Sequence, residues 1–218
     1  MSKVLVAPSI LSADFCKMAE AVKNIKEWGG DLIHCDIMDG VFVPNFTFGM
    51  PMVKALAKYS ELPIDAHLMI IEPERYVEKF CDAGADIVTF HPDASKNVSK
   101  ALELIKAKGK KCGLALNPDK PLSMIEPYLD KIDVLLIMSV YAGFGGQRFI
   151  DESLLKIGDA KSMIENCGRK ILIEVDGGVT TENAYHIIHS GADILVAGNS
   201  IFSAENPKLA ITKIKSSH

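Results

Sequence analysis

The chain is poor in the features that mark several broad protein classes. It has only three arginines, Arg75, Arg148 and Arg169, in 218 residues. Its 24 basic side chains are outnumbered by 28 acidic ones, for a formal net charge of −4. A nucleic-acid or membrane-surface binder needs a basic face, so no nucleic acid and no membrane is expected as a partner. No apolar run reaches the roughly 18–20 residues of a membrane-spanning helix. The apolar stretch at the start, Val4-Leu5-Val6-Ala7, is far too short for a signal-peptide core. The five cysteines, Cys16, Cys35, Cys81, Cys112 and Cys167, are widely spread and form no C-x-x-C pair. An odd, scattered set argues for buried free thiols in a reducing compartment, so a cytoplasmic location is expected.

What is present describes a globular chain: 48% apolar, 24% charged and 7% aromatic residues. Short β-branched runs alternate with longer helical patterns from end to end. The expected strands are 4–10, 32–37, 64–69, 87–90, 111–116, 134–140, 171–175 and 194–197. Many are continuous Val/Ile/Leu runs, as in a parallel sheet buried on both faces. Between them, segments such as 18–28, 73–83, 98–108, 153–165 and 182–189 repeat apolar residues at three and four, the helical period. Eight strand-helix units without a linker predict an α/β fold, a single (β/α)8 TIM barrel domain over 1–218. A doubly wound open sheet is the rival. An internal echo supports the barrel: Gly29-Gly30-Asp31-Leu32-Ile33, Gly84-Ala85-Asp86-Ile87-Val88 and Gly191-Ala192-Asp193-Ile194-Leu195 each end a helix and open a strand. Glycine after a helix accepts the left-handed cap conformation, so the echo reads as structural.

Active sites of such barrels lie at the carboxyl ends of the strands. Alternation places His34, Asp36 and Met38 on one face of the second strand, and His67 and Met69 on one face of the third. Asp176 falls at the rim after the seventh. If these faces point inward, His34, Asp36, His67 and Asp176 converge from three strands. Two imidazoles and two carboxylates suit one divalent metal ion of the Zn, Mn, Fe or Co kind. The plain alternative is a pair of hydrogen-bonded core histidines with unrelated rim aspartates.

Three glycine-rich turns follow strands six to eight: Gly143-Phe144-Gly145-Gly146-Gln147, Gly177-Gly178 and Gly198-Asn199-Ser200. Such turns expose backbone N–H groups as anion nests, which points to phosphate. With so few arginines, these nests have to do most of the binding. Arg148 is expected as an exposed helix residue. A metal, two carboxylates and a phosphate grip together suggest proton exchange next to a carbonyl. The metal stabilises an enediolate, and two carboxylates on opposite sides of it invert the centre. Asp36 and Asp176 are the pair placed to do so.

The chain resembles the ribulose-phosphate 3-epimerase family over nearly its whole length. The stretches that carry the resemblance include Ala7–Asp14, Asp36-Ile37-Met38-Asp39-Gly40, Phe42-Val43-Pro44-Asn45, Asp65–Met69, Leu116-Asn117-Pro118, Met138-Ser139-Val140, Gly143–Gln147 and Glu174–Gly178. It implies a barrel of the ribulose-phosphate-binding type and interconversion of D-ribulose 5-phosphate and D-xylulose 5-phosphate, in the pentose phosphate pathway of carbohydrate metabolism. It implies that His34, Asp36, His67 and Asp176 bind the metal, with Asp36 the usual proton acceptor and Asp176 the donor. Ser9, Met38, His67, Met69 and Met138 are implied substrate contacts, with Gly143, Phe144, Gly145 and Gly146 from one loop and Gly177, Gly178, Gly198 and Asn199 from two others. The partner implied is a ketose phosphate, and the assembly a homo-oligomer.

Two departures from the family pattern stand out. Tyr141-Ala142 replaces an Asn-Pro, which frees the loop backbone and adds bulk at the mouth. Asn199 replaces a serine but keeps its backbone N–H. Phe90-His91-Pro92 is similar to the related hexulose-phosphate 3-epimerases, which keeps D-allulose 6-phosphate open as a substrate; for His91 itself a structural role is preferred. A non-catalytic phosphosugar-binding barrel is the alternative of another class.

Overall fold

In the computed structural model, which describes residues 4–217, eight strands form one parallel sheet. They are β1 Leu5–Pro8, β2 Ile33–Met38, β3 Ile64–Met69, β4 Ile87–Phe90, β5 Lys111–Leu116, β6 Val134–Met138, β7 Leu172–Asp176 and β8 Ile194–Ala197. Ladders run β1-β8-β7-β6-β5-β4-β3-β2. The ring closes between β1 and β2 through a parallel bridge, Ser9 to His34. The fold is a (β/α)8 TIM barrel.

The helices outside it are α1 Met18–Trp28, α2 Met50–Leu56, α3 Val77–Ala83, α4 Val98–Ala107, α5 Ser153–Cys167, α6 Ala184–His189, α7 Asn199–Phe202 and α8 Pro207–Lys215. Spacing decides which face they bury. Met18, Ala21, Val22 and Ile25 of α1, and Val98, Ala101, Leu102 and Ile105 of α4, are buried at helical intervals. They pack on outward-facing strand residues such as Cys35, Ile37, Leu68, Val88 and Phe90. Each such buried aliphatic side chain contributes about 1.5–3 kcal/mol.

Inside the ring the layers differ in polarity. Ala7, Leu32, Ile87, Val134 and Ile194 cluster inside the ring, and Val196, packed with them, reaches the cavity above. Above them His34, Asp65, His67, Thr89 and Glu174 are buried polar groups. A cavity opens above those.

The crossover from β5 to β6 departs from the expected strand-helix pattern. It holds no α-helix, only 3-10 turns at Leu122–Met124 and Glu126–Tyr128, because Pro121 and Pro127 interrupt the helical hydrogen-bond pattern. The expected helix 73–83 is likewise split, with a 3-10 turn at Pro73–Arg75 before α3. β1 stops at Pro8, and Ile10–Ser12 turns away under a cap in which the Leu11 N–H donates to the Ser9 hydroxyl. β7 runs one residue further than expected and includes Asp176. The cysteines are all free, but Cys16 and Cys167 are exposed and only Cys35, Cys81 and Cys112 are buried. Cys16 lies in the exposed 3-10 turn Phe15–Lys17 before α1, and Cys167 is the last residue of α5. No helix among the described residues is long and apolar enough to cross a membrane.

The glycine-aspartate echo has a physical explanation. The Asp31 carboxylate accepts the Val6 N–H at 2.9 Å, while the Asp31 N–H donates to the Val6 carbonyl at 2.9 Å. Asp86 repeats this with Ile64 and Asp193 with Ile173. A fourth copy, Asp133 with Cys112, follows no glycine and escapes the sequence pattern. Each even strand therefore opens with an aspartate that clasps the preceding odd strand.

Candidate active site

At the carboxyl ends of the strands lies a cavity of about 520 Å³, lined by Asp36 and Met38 of β2, Met69 of β3 and the segments at and after the ends of β1, β6, β7 and β8. Of the residues expected in the site, Ser9, Asp36, Met38, Met69, Met138, Asp176 and all the glycine-loop positions line it. His34 and His67 lie just beneath, fully buried. Ligand-type atoms of His34, Asp36, His67 and Asp176 all lie within 4.8 Å of one another.

Strand geometry builds this cluster. In the β2–β3 register Asp36 pairs with His67 and His34 with Asp65, and alternation turns all four inward. Asp36 Oδ1 sits 3.2 Å from His67 Nδ1 and 3.4 Å from His34 Nε2. Asp36 Oδ2 accepts the Ser9 hydroxyl at 2.7 Å. Thr47 fixes the end of β2, accepting the Met38 N–H at 3.0 Å and donating to the Asp36 carbonyl at 2.6 Å. The Ser139 hydroxyl lies 2.6 Å from the Gly177 carbonyl and steadies the end of β7.

Electrostatics separate the two carboxyl groups. Burial alone would raise the Asp36 pKa, but His34 and His67 hold it well below the usual carboxylate range. Asp176, half-buried at the rim, is pushed up to about 7 by burial and by the Asp36 charge. Burial works against protonation of His34, yet Asp36 and Asp65 raise its pKa. Burial lowers that of His67. The two neighbouring carboxyl groups are thus pushed in opposite directions, Asp36 toward the ionised form and Asp176 toward the protonated one.

The donor set fits a divalent transition ion. Two imidazole nitrogens and two carboxylate oxygens converge, and His34 Nε2 is buried without a hydrogen-bond partner.

Three glycine loops meet above this floor. The Asn45 amide donates to the Gly143 carbonyl at 2.8 Å, tying the loop after β2 to that after β6. The Gln147 amide donates to the Tyr141 and Phe144 carbonyls at 2.7 and 2.9 Å, folding the Gly143–Gly146 loop on itself. Gly178 has φ 63°, and a Cβ there would lie 2.3 Å from Phe149 N, so only glycine lets the β6 and β7 loops approach.

The family model described as the ribulose-phosphate 3 epimerase family matches residues 5–202. The chain belongs to that family. A ribulose-phosphate 3-epimerase of Bacillus subtilis is 46% identical over 98% of this chain and 99% of its own length. A chloroplastic ribulose-5-phosphate-3-epimerase of Arabidopsis thaliana is 49% identical over 99% of this chain and 78% of its own length. Among solved structures, KGPDC from Streptococcus mutans superposes with a TM-score of 0.76. Its identity is 16%, over 99% of this chain and 97% of that one, which shows the fold alone.

Several residues around this epimerase-family site were not expected there. Asp65 and Glu174 form a buried layer beneath it together with His91, for which a structural role was expected. Asp65 Oδ2 is 2.7 Å from His34 Nδ1, and His91 Nε2 is 2.9 Å from His67 Nε2. The signal was the same alternation: Asp65 and Glu174 precede His67 and Asp176 by two. Leu11, Ser12, Gln147, Thr180 and Asn183 also line the cavity. Arg148 is exposed, but it lies in the loop after β6 and borders the cavity mouth instead of riding on a helix. The glycines before it and the close approach of Gly178 keep that segment out of a helix.

Proposed function

We propose that this barrel acts as one catalytic domain that inverts C3 in the interconversion of D-ribulose 5-phosphate and D-xylulose 5-phosphate. The observation that carries the reading is the convergence of two carboxyl groups and two imidazoles, all within 4.8 Å of one another, at the base of the cavity. Asp36 and Asp176 project from β2 and β7, well separated around the ring, and so reach a planar intermediate from different sides. With Asp36 Oδ1 turned to the imidazoles, Oδ2 beside the Ser9 hydroxyl takes the proton from C3. Asp176 returns a proton to the opposite face. One Zn, Mn, Fe or Co ion held by His34, Asp36, His67 and Asp176 supplies Lewis-acid stabilisation to the substrate oxygens when bound.

Met38 and Met69 pack with Val43, and Met138 with Ala115, Leu136 and Val140; Ala142 touches both groups. These methionines wall the reacting carbons with apolar surface, with Ser9 as the polar contact beside them; His67, also expected to touch substrate, is buried beneath the cavity with both ring nitrogens engaged, and so serves the ion instead. Backbone N–H groups of Gly143, Phe144, Gly145, Gly146, Gly177, Gly178, Gly198 and Asn199 hold the phosphate. Named relatives of this family act on ribulose phosphate, so the hexulose-phosphate alternative is not favoured. The same reading places the chain in the pentose phosphate pathway, in a cytoplasmic setting compatible with its free thiols, and in a homo-oligomer as the family resemblance implies.

The test is C3 epimerisation of D-ribulose 5-phosphate beside D-allulose 6-phosphate, with metal-reconstituted protein. The expected result is a much larger kcat/KM for the pentose. Preference for the hexulose would keep the mechanism and change the substrate, whereas no turnover of either would leave a binding barrel.

A further inference from the structure

Binding of an ion at the four-residue cluster fixes where the protons of the two imidazoles sit. This step rests on the metal reading above. A neutral imidazole that ligates through one nitrogen carries its proton on the other. His34 Nε2 and His67 Nδ1 are the nitrogens that face Asp36 Oδ1. The protons then belong on His34 Nδ1 and His67 Nε2. His34 Nδ1 meets a carboxylate, Asp65 Oδ2, at 2.7 Å. His67 Nε2 meets another imidazole nitrogen, His91 Nε2, at 2.9 Å.

Two nitrogens that close share one proton. If His67 supplies it, His91 must accept at Nε2 and carry its own proton on Nδ1. His91 is fully buried and has its ring 4.8 Å from that of Phe42. Its Nδ1 has no partner in either tautomer, so that atom does not choose between them; the ligation of His67 does. Phe42 and the strand end hold the ring with His67 Nε2 as its one side-chain hydrogen-bond partner among the described residues.

We propose that His91 is a positioning residue: it accepts the His67 Nε2 proton and so aims Nδ1 at the ion, as Asp65 does for His34. The two ligands are then held by unequal partners, one anionic and one neutral.

The test uses full-length protein loaded with Zn. In ¹⁵N NMR of the wild type, His67 is expected as the Nε2–H form and His91 as the Nδ1–H form. His91→Phe keeps the volume and the ring against Phe42 but removes the acceptor. Its Zn affinity, measured by chelator competition, should fall about 10–100-fold, the usual loss for a ligand's hydrogen-bond partner. His91→Gln, whose amide oxygen reaches the Nε2 position, should recover most of that loss. Should His91→Phe not fold, the wild-type tautomers and the His91→Gln affinity still decide. A proton found on His91 Nε2 in the loaded protein, or His91→Phe binding Zn as tightly as wild type, overturns the proposal. A wild-type protein that takes up no ion overturns the metal reading beneath it instead, and is recognised by its metal content alone.

Discussion

The two ends of the barrel use aspartate for opposite purposes. At the lower end Asp31, Asp86, Asp133 and Asp193 each accept a backbone N–H from the preceding strand. At the upper end Asp36 faces two imidazoles and a serine hydroxyl, while Asp176 stands at the cavity wall. An oxygen bonded to the backbone holds structure. An oxygen turned to titratable groups above a cavity remains free for chemistry. Residue type alone does not separate the two; partner and depth in the ring do.

Substitutions should divide the same way. Asp176→Asn removes the proton donor and should lower epimerisation about 10²–10⁴-fold, with melting temperature little changed. Retention of most of the turnover would break the two-carboxylate mechanism. Prolonged chelation should abolish turnover, with Zn, Mn, Co or Fe restoring part of it; full activity in protein shown by elemental analysis to be metal-free would sink the metal assignment. Gly178→Ala drives a Cβ toward Phe149 N. It should destabilise by about 1–3 kcal/mol and raise KM more than it lowers kcat, as steady-state kinetics and denaturant melts would show. At the other end, Asp133→Ala orphans the Cys112 N–H and should cost about 1–3 kcal/mol with kcat/KM unchanged. A catalytic defect there would erase the contrast between the ends.

The smallest effect concerns Asp39. Burial would raise its pKa, but the Ile71, Val41 and Phe42 N–H groups lower it. A depressed carboxylate stabilises the fold above its unfolded pKa, and that contribution is lost as pH falls through the folded value. Asp39→Asn should therefore be less stable than wild type at pH 7, and the gap should close in acid. Urea melts at the two extremes would measure it.

Alternation along β2 and β3 made the His34, Asp36 and His67 floor legible from sequence, since the side-chain period is fixed by backbone geometry. The glycine loops were legible for the same reason: φ near 63° at Gly178 leaves few other residues possible. The buried layer of Asp65, Glu174 and His91 was harder to see. Charged side chains in a barrel interior run against burial statistics, and their pairing depends on register between strands. The echo was traced by its glycines, and that hid Asp133, whose preceding chain closes without one. The helix-free crossover before β6 depended on two prolines whose effect is local and easily outvoted by an eightfold expectation.

The join between β1 and β2 has a mechanical consequence. Seven neighbouring pairs are fastened by ladders, whereas this one is stitched by Asp31 to Val6 below and by Ser9 to His34 above. A ring opens at its least-fastened seam, and here the upper stitch includes the serine that holds the Asp36 oxygen. Opening of this seam would therefore also release the Ser9 hold on Asp36, which ties local breathing of the barrel to the geometry at the base of the cavity.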